Sequence, residues 1–347
     1  MIAYIIRRLL QVIPTLFVIS VILYALLALK PGDPIDELRM SNPSFTQEDY
    51  ERLAEIYGLN QPWYIRYFYW VSGAVKGDFG PSRSYGLPAA QYVFEVRLPK
   101  TLVLSGLALL ISFIIAVPMG VLSALRQHSL MDYGVTIFNF FGISIPVFWL
   151  GIMLIYIFAV ACRQCLPAGG VMTPGINPPD WSAILSDAGG GGLDAYGAYL
   201  KGLWPVVVDR LRHLILPVTA LSALQMASWT RFMRSSMLEV FSQDYVRTAR
   251  AKGVPERRVV TRHTIRNAIL PIITLIALAV PVTMSGAVLT ETVFNWPGMG
   301  RAVYDSILNN DFNVAMASLM FISLMVIIAN LLADITYAFV DPRIRYD

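Results

Sequence analysis

Side chains that could perform chemistry are few, because the chain contains two Cys and three His in all. Cys162 and Cys165 form a CxxC pair, a spacing found in disulfides and in redox-active sites of oxidising compartments. No alternation of strand and helix patterns surrounds the pair, so redox catalysis is disfavoured, and inert thiols or a structural disulfide stay open. His128, His213 and His263 are scattered along the chain. This scarcity nearly excludes a metal centre of several His or Cys, and we predict no catalytic or metal-binding residue.

Two carboxylates lie near the ends of long uncharged segments. Glu291 follows the fifth such segment, and Asp334 comes just after the sixth. A carboxylate at the centre of a membrane helix costs about 2.5–3.5 kcal/mol, so residues of this kind are often functional. Because both lie near segment ends, we expect both side chains to reach an aqueous interface. A contact between Glu291 and the turn at Trp296 is an open alternative, and a proton relay is disfavoured.

The motifs of common catalytic sites are missing. Neither the nucleotide-binding motif GxxxxGK[ST] nor the metalloprotease motif HExxH occurs in the sequence. Ser144 lies in GISIP, which lacks the second glycine of a GxSG nucleophile motif. We therefore expect no enzymatic activity, and in particular no ATP hydrolysis, from this chain.

The elements that position these residues are membrane helices. Of the 347 residues, 56% are hydrophobic and 14% are charged, against roughly 25% charged in soluble domains. Such a composition excludes an ordinary soluble enzyme, a disordered chain and a disulfide scaffold. A membrane-spanning helix needs about 20 apolar residues. Six segments free of Asp, Glu, Lys and Arg meet or approach that length, at 9–29, 101–125, 134–162, 213–230, 267–290 and 312–333. We predict an all-α polytopic membrane protein with six transmembrane helices.

Charge placement predicts the orientation. Segment 231–266 holds nine Lys and Arg against three acidic residues, and cytoplasmic loops carry such an excess. With an even number of spans, both termini are then cytoplasmic as well. We predict an N-terminal helix (1–30), a large extracytoplasmic loop (31–100) and a helical core (101–347). The core has an extracytoplasmic insertion at about 163–212 and the basic cytoplasmic loop. The net charge of +4 is too small to indicate nucleic acid.

The extracytoplasmic loops have local patterns of their own. Residues 43–49 read as a helix start, with a Ser or Thr cap followed by acidic residues. Six aromatic residues lie within 62–70, which favours a helix at the level of the lipid headgroups over a platform for stacking sugars or peptides. Four glycines at 189–192 indicate a flexible linker.

The basic cytoplasmic loop contains the most informative pattern. Ser242 is a candidate N-cap, 243–252 are compatible with a helix, and Gly253 stands where a C-cap glycine belongs. Pro255 and Glu256 then open a second helix. A basic amphipathic helix can lie on anionic lipid or project toward a cytosolic partner. The small side chains of the first helix favour the partner slightly, because they permit close approach.

These residues resemble a known family. The segments DYVRTARAKG (244–253) and HTIRNAILP (263–271) are similar to the EAA-type loop of binding-protein-dependent ABC importer permeases, above all those of the dipeptide/oligopeptide type. Further similarity covers nearly the whole chain, in YIIRRL (4–9), PGDP (31–34), LPKT (98–101), RFMRSSMLE (231–239), LTETVF (289–294), WPGMG (296–300) and VDPRIR (340–345).

The resemblance implies the type I ABC importer transmembrane fold in the inner or plasma membrane of a prokaryote. It implies three kinds of partner besides the lipid bilayer: a second homologous permease in a heterodimer, two cytosolic ATP-binding subunits, and an extracytoplasmic solute-binding protein. ATP and Mg would be bound by the ATPase subunits, and this chain would bind no cofactor. The ATPase-coupling helix would comprise Asp244, Tyr245, Arg247, Thr248, Ala249, Arg250, Ala251, Lys252 and Gly253.

The transported solute is weakly constrained by the sequence. Similarity of motif favours di- and oligopeptides, with oligosaccharides, nickel or glutathione as alternatives for the same machinery. A secondary transporter or channel is disfavoured, because the six apolar segments lack the buried ionisable residues that such mechanisms need. No substrate-binding residue is predicted.

Overall fold

The computed structural model describes residues 2–30, 46–56, 60–163, 165–180, 193–284 and 287–340. The PGDP segment, the glycine run at 189–192 and the chain from residue 341 lie outside these ranges. The described residues are helices and turns with one isolated bridge and no strand, which confirms the all-α prediction. In chain order the helices are α1 (Ile2–Ala28), α2 (Gln47–Ile56), α3 (Trp63–Ala74), α4 (Ala89–Leu125), α5 (Leu130–Ser144), α6 (Val147–Ala161), α7 (Leu193–Phe241), α8 (Asp244–Ala251), α9 (Glu256–Thr283), α10 (Val288–Val293), α11 (Met299–Leu308) and α12 (Phe312–Val340).

Four of the described helices are long and apolar enough to cross a membrane, namely α1, α4, α9 and α12. The predicted segment 134–162 is divided instead into α5 and α6, which meet at 102°. Ile145 is extended (φ −88°, ψ 123°), because the ring of Pro146 disfavours a helical conformation at the preceding residue. Counted as one broken span, this pair makes five. Segment 213–230 forms the middle of the 49-residue α7. The number six therefore stays a prediction.

The contacts divide the chain into two units, of which the first is Met1–Leu102 with Ile273–Val288 and Gly298–Asp347. Its core includes Tyr24, Tyr67 and Met316, from α1, α3 and α12. The hydroxyl of Tyr67 lies 2.8 Å from Ser20 Oγ, so the aromatic segment packs as a helix against α1.

The start of α2, in the same unit, has the predicted capping pattern. The Thr46 amide donates to the carboxylate of Asp49 at 3.0 Å, and the Asp49 amide donates to Thr46 Oγ1 at 3.2 Å. These hydrogen bonds from Thr46 lower the pKa of the Asp49 carboxyl group. The reciprocal pair satisfies amides that the first turn of a helix leaves unpaired, which confirms the predicted helix start.

The second unit comprises Val103–Ile272 and Leu289–Pro297. Two apolar clusters hold α7 in place, one around Leu214 and Trp296 and one around Leu216 and Phe294. The Gly170 amide donates to the carbonyl oxygen of Phe294 at 2.8 Å. A Cβ atom on Gly169 would lie 2.1 Å from that oxygen, so only glycine permits this close approach.

Candidate functional site

The basic loop folds into α8 and a tight turn. Beyond the end of α8, the Gly253 amide donates to the Arg250 carbonyl at 3.0 Å, and the Val254 amide donates to the Ala249 carbonyl at 3.2 Å. Gly253 has φ +73°, in the left-handed region that glycine occupies at little cost. The predicted C-cap glycine is confirmed, and Pro255 precedes the helix Glu256–Arg258 as predicted. The turn therefore fixes the direction in which the chain leaves α8.

The predicted N-cap is wrong. Gln243 precedes α8 in extended conformation, and its side chain makes no capping hydrogen bond. Ser242 Oγ donates instead to the Glu239 carbonyl at 2.7 Å. A hydroxyl can satisfy a carbonyl at the end of one helix as readily as an amide at the start of the next, and here it does the former.

One face of α8 is buried. Val246 is fully enclosed and Ala249 is 7% exposed, and both pack against Val259 in a cluster that also includes Phe241 and Val254. Ala249 therefore supports the helix from beneath and does not belong to its outer surface. The other eight residues predicted for the coupling helix are exposed.

The outer face of α8 carries charged side chains, and the residues that form ion pairs with them are exposed as well. Arg250 binds Glu256 with two hydrogen bonds, at 2.7 and 3.1 Å, and this carboxylate raises the pKa of Arg250. Arg247 lies 3.7 Å from Asp244, and both side chains are more than three-quarters exposed. Tyr245 accepts a hydrogen bond from Asn267 Nδ2 at 3.0 Å. This charged, fixed surface is suited to binding another macromolecule.

A cavity of about 680 Å³ opens beside α8. Its lining comes from the C-terminal ends of α4 and α7, including Arg126 and Phe241, and from the ion pair of Arg250 and Glu256. The exposed helix thus borders a concave surface built from the ends of α4 and α7 and from the loop itself.

The two carboxylates near segment ends have different surroundings. Glu291 is completely buried in the second unit, so the expectation that it reaches an aqueous interface is wrong. Its carbonyl oxygen accepts the Trp296 amide at 2.7 Å, so the contact with the tryptophan turn exists through the main chain. Asp334 is 26% exposed and forms an ion pair of 2.9 Å with Arg8 in the first unit.

The residues considered for chemistry do not converge. Cys162 and Cys165 form a disulfide. His128 lies in the turn before α5, His213 is buried on α7, and His263 lies on α9. Within the described ranges, no group of three or more His, Cys, Asp or Glu is placed to hold a metal ion.

Sequence reasoning missed two buried carboxylates in the second unit. Asp132, at the start of α5, is 3% exposed and forms a bidentate ion pair with Arg234 of α7. Asp209 of α7 is 8% exposed and accepts hydrogen bonds from the Thr173 amide and hydroxyl, at 2.8 and 2.6 Å. Each of these residues lies a few positions before an uncharged segment. The presence of a carboxylate at that place was the only sequence signal for either of them.

Comparisons with known proteins agree with this architecture. Residues 116–346 match the model of the binding-protein-dependent transport system inner membrane component, and residues 1–104 match the N-terminal model of such membrane components. The oligopeptide transport system permease protein of Bacillus subtilis is 40% identical over 347 residues, the full length of both chains. The dipeptide transport system permease protein of Escherichia coli is 35% identical over 346 residues, 100% of this chain and 99% of that one. The di/tripeptide transport system permease protein of Pseudomonas aeruginosa is 36% identical, with 100% and 99% covered.

The apolar helices and these matches define the class, an all-helical, multi-pass inner-membrane protein. More narrowly, the chain belongs to the family of binding-protein-dependent transport system inner membrane components, with the type I ABC importer transmembrane fold.

Proposed function

We propose that this chain is a permease subunit of an ATP-driven importer and forms half of the translocation pathway for di- and oligopeptides. Family membership supports the permease role. The peptide substrate is supported by full-length relatives whose names specify oligopeptides, dipeptides and di/tripeptides.

The proposed assembly contains a second, homologous permease, two cytosolic ATP-binding subunits and an extracytoplasmic solute-binding protein. ATP and Mg belong to the ATP-binding subunits, and this chain performs no hydrolysis. Both termini and loop 231–266 face the cytoplasm, whereas loop 31–100 and the insertion at about 163–212 face outward. The nine basic residues of 231–266 support this orientation.

The observation that carries the mechanism is the construction of α8. Its inner residues Val246 and Ala249 are buried against Val259, while its outer residues are exposed. A helix anchored on one face and held by a closed C-terminal turn moves as a body when its outer face is pushed. In the proposed cycle, closure of the ATP-binding subunits pushes α8, and the membrane helices change between inward- and outward-facing states.

The substitution Arg247→Glu tests this role, because it reverses a charge that is 78% exposed and only loosely paired. In this variant the new carboxylate would repel the groups on the ATP-binding subunits that Arg247 attracts. Because such like-charge contacts at an interface are strongly unfavourable, we expect roughly tenfold less co-purification of these subunits. The matched control is Arg210→Glu, the same reversal at an exposed position of α7 in the predicted extracytoplasmic part. Equal loss in both variants, or loss in neither, would contradict the assignment of α8.

The solute is tested separately. The cognate solute-binding protein, purified from cells without refolding, is expected to retain di- or oligopeptides that mass spectrometry identifies. Retention of an oligosaccharide, nickel or glutathione instead would overturn the peptide substrate while leaving the permease role intact.

A further inference from the structure

An ion pair with a buried carboxylate joins three parts of the second unit. Arg234 of α7 donates to Asp132 through Nε to Oδ1 at 2.7 Å and through Nη2 to Oδ2 at 2.8 Å. Ser123 of α4 donates its hydroxyl to Oδ1 of the same carboxylate, and the His128 amide donates to Oδ2 at 3.0 Å. Asp132 thus receives hydrogen bonds from the end of α4, from the turn that follows it, and from α7.

The turn is shaped to deliver these bonds. His128 has φ +62°, an uncommon conformation for a residue other than glycine. Ser129 caps α5 by accepting the Asp132 amide at 3.3 Å. Oδ2 of Asp132 is therefore held by a backbone amide and Oδ1 by the Ser123 hydroxyl, and the carboxylate is fixed in one orientation.

Close packing surrounds the pair on both sides of α7. A Cβ atom on Gly120 of α4 would lie 2.5 Å from Cβ of Met233, and one on Gly142 of α5 would lie 2.8 Å from Cβ of Ala227. The helices approach too closely to slide past one another without displacing atoms, since protein interiors are close-packed. The ion pair closes a junction of α4, α5 and α7.

This junction lies next to the end of α7 that carries α8. Arg234 lies two turns before the end of α7 at Phe241, and α8 begins at Asp244. The buried face of α8 packs against Phe241. Ser236 Oγ donates to the Ala268 carbonyl at 2.9 Å, which ties the same stretch of α7 to α9. A displacement of α8 would therefore act first on the last turns of α7.

We propose that Asp132 and Arg234 are positioning residues of the transport cycle, which transmit the movement of α8 to α4 and α5. The proposal rests on the proposed function. Because the cost of desolvating the Asp132 carboxylate offsets much of what the pair gains, stability alone is a weak explanation for it. A bidentate arginine–carboxylate pair instead specifies the angle between the helices that it joins.

The test uses the complete importer in proteoliposomes, with the two permeases, the ATP-binding subunits and the loaded solute-binding protein. It measures solute imported per ATP hydrolysed. Asp132→Asn keeps the shape and loses the charge, and we expect this ratio to fall roughly tenfold while ATP hydrolysis continues.

The matched control breaks the ion pair of the first unit by Asp334→Asn, which removes one partner of Arg8 on helices that do not carry α8. A ratio for Asp132→Asn within twofold of wild type, or an equal fall in the control, would overturn the proposal. If Asp132→Asn does not assemble, Arg234→Lys is judged by the same ratio. Failure of both to assemble makes the pair a folding element and overturns the proposal too. A wild-type complex without ATP-dependent import would instead refute the proposed function.

Discussion

Two polar clusters, one within α7 and one beyond its C-terminal end, are built in opposite ways. Toward its N-terminal part, Asp209 is buried and its carboxylate binds the amide and hydroxyl of Thr173. His213 Nδ1 lies 2.8 Å from the Asp209 carbonyl, which can only accept, so this nitrogen donates. Beyond its C-terminal end, the charges of α8 are exposed and pair with exposed partners.

The difference indicates what each cluster is for. Polar groups that are buried must be satisfied within the chain, and those of Asp209 hold the loop containing Thr173 against α7. The exposed charges of α8 contribute little to folding, because surface ion pairs are worth about 0–1 kcal/mol. The stability of α8 comes instead from its buried apolar face. Stability and the proposed partner binding therefore belong to opposite faces of one short helix.

The largest expected effect comes from reversing this arrangement with Val246→Asp. An unpaired carboxylate would be buried against Val259, and we expect a loss of about 3 kcal/mol or more in the stability of the loop. For the same reason Ala249→Asp should destabilise α8. Limited proteolysis of the purified protein, with cleavage sites mapped to 240–264, measures the effect. Arg247→Glu on the exposed face is the control, and equal resistance of both variants would refute the two-faced description.

A smaller effect is expected from Asp209→Ala. Loss of the carboxylate leaves the Thr173 amide and hydroxyl without their acceptor, at a cost of about 1–3 kcal/mol. Hydrogen exchange in 166–180 should accelerate accordingly, while exchange in α8 should not change. Faster exchange in α8 alone would show that this cluster does not hold the loop.

The pH dependence of stability provides a second test of the Asp209 carboxylate. Burial raises the pKa of Asp209, but the hydrogen bonds from Thr173 and the charge of nearby His213 and Arg212 hold it below the usual value. A lowered folded-state pKa gives stability that is complete above about pH 4 and is lost as pH falls through the folded-state pKa. The difference in melting temperature between wild type and Asp209→Asn should therefore shrink below about pH 4.

The smallest effect is expected from Glu256→Gln. This change removes one charge of the pair with Arg250, whose two side chains are 43% and 58% exposed, and should alter stability by less than about 1 kcal/mol. The melting temperature of the purified protein should stay close to that of wild type. A loss as large as that of Asp209→Ala would erase the contrast between the two clusters.

Much of the architecture follows from the sequence alone. Long uncharged segments predict helices in a membrane because hydrocarbon excludes charge and unpaired backbone groups. Gly253 marks the end of α8 because a left-handed residue is needed there, and Thr46 marks a helix start through its own hydroxyl. Such signals are local, so they can be read from neighbouring residues.

The tertiary structure decided what depends on distant partners. The ion pair of Asp132 and Arg234 joins residues 102 positions apart, and no pattern in either neighbourhood specifies the other. Burial of Ala249 and Glu291 depends on which helix packs over them, and composition gives only the need for burial. The division of 134–162 into two helices depends partly on the sequence and partly on the tertiary structure. Pro146 disfavours a helical conformation at the residue before it, but no sequence pattern specifies the angle of 102° between the two halves.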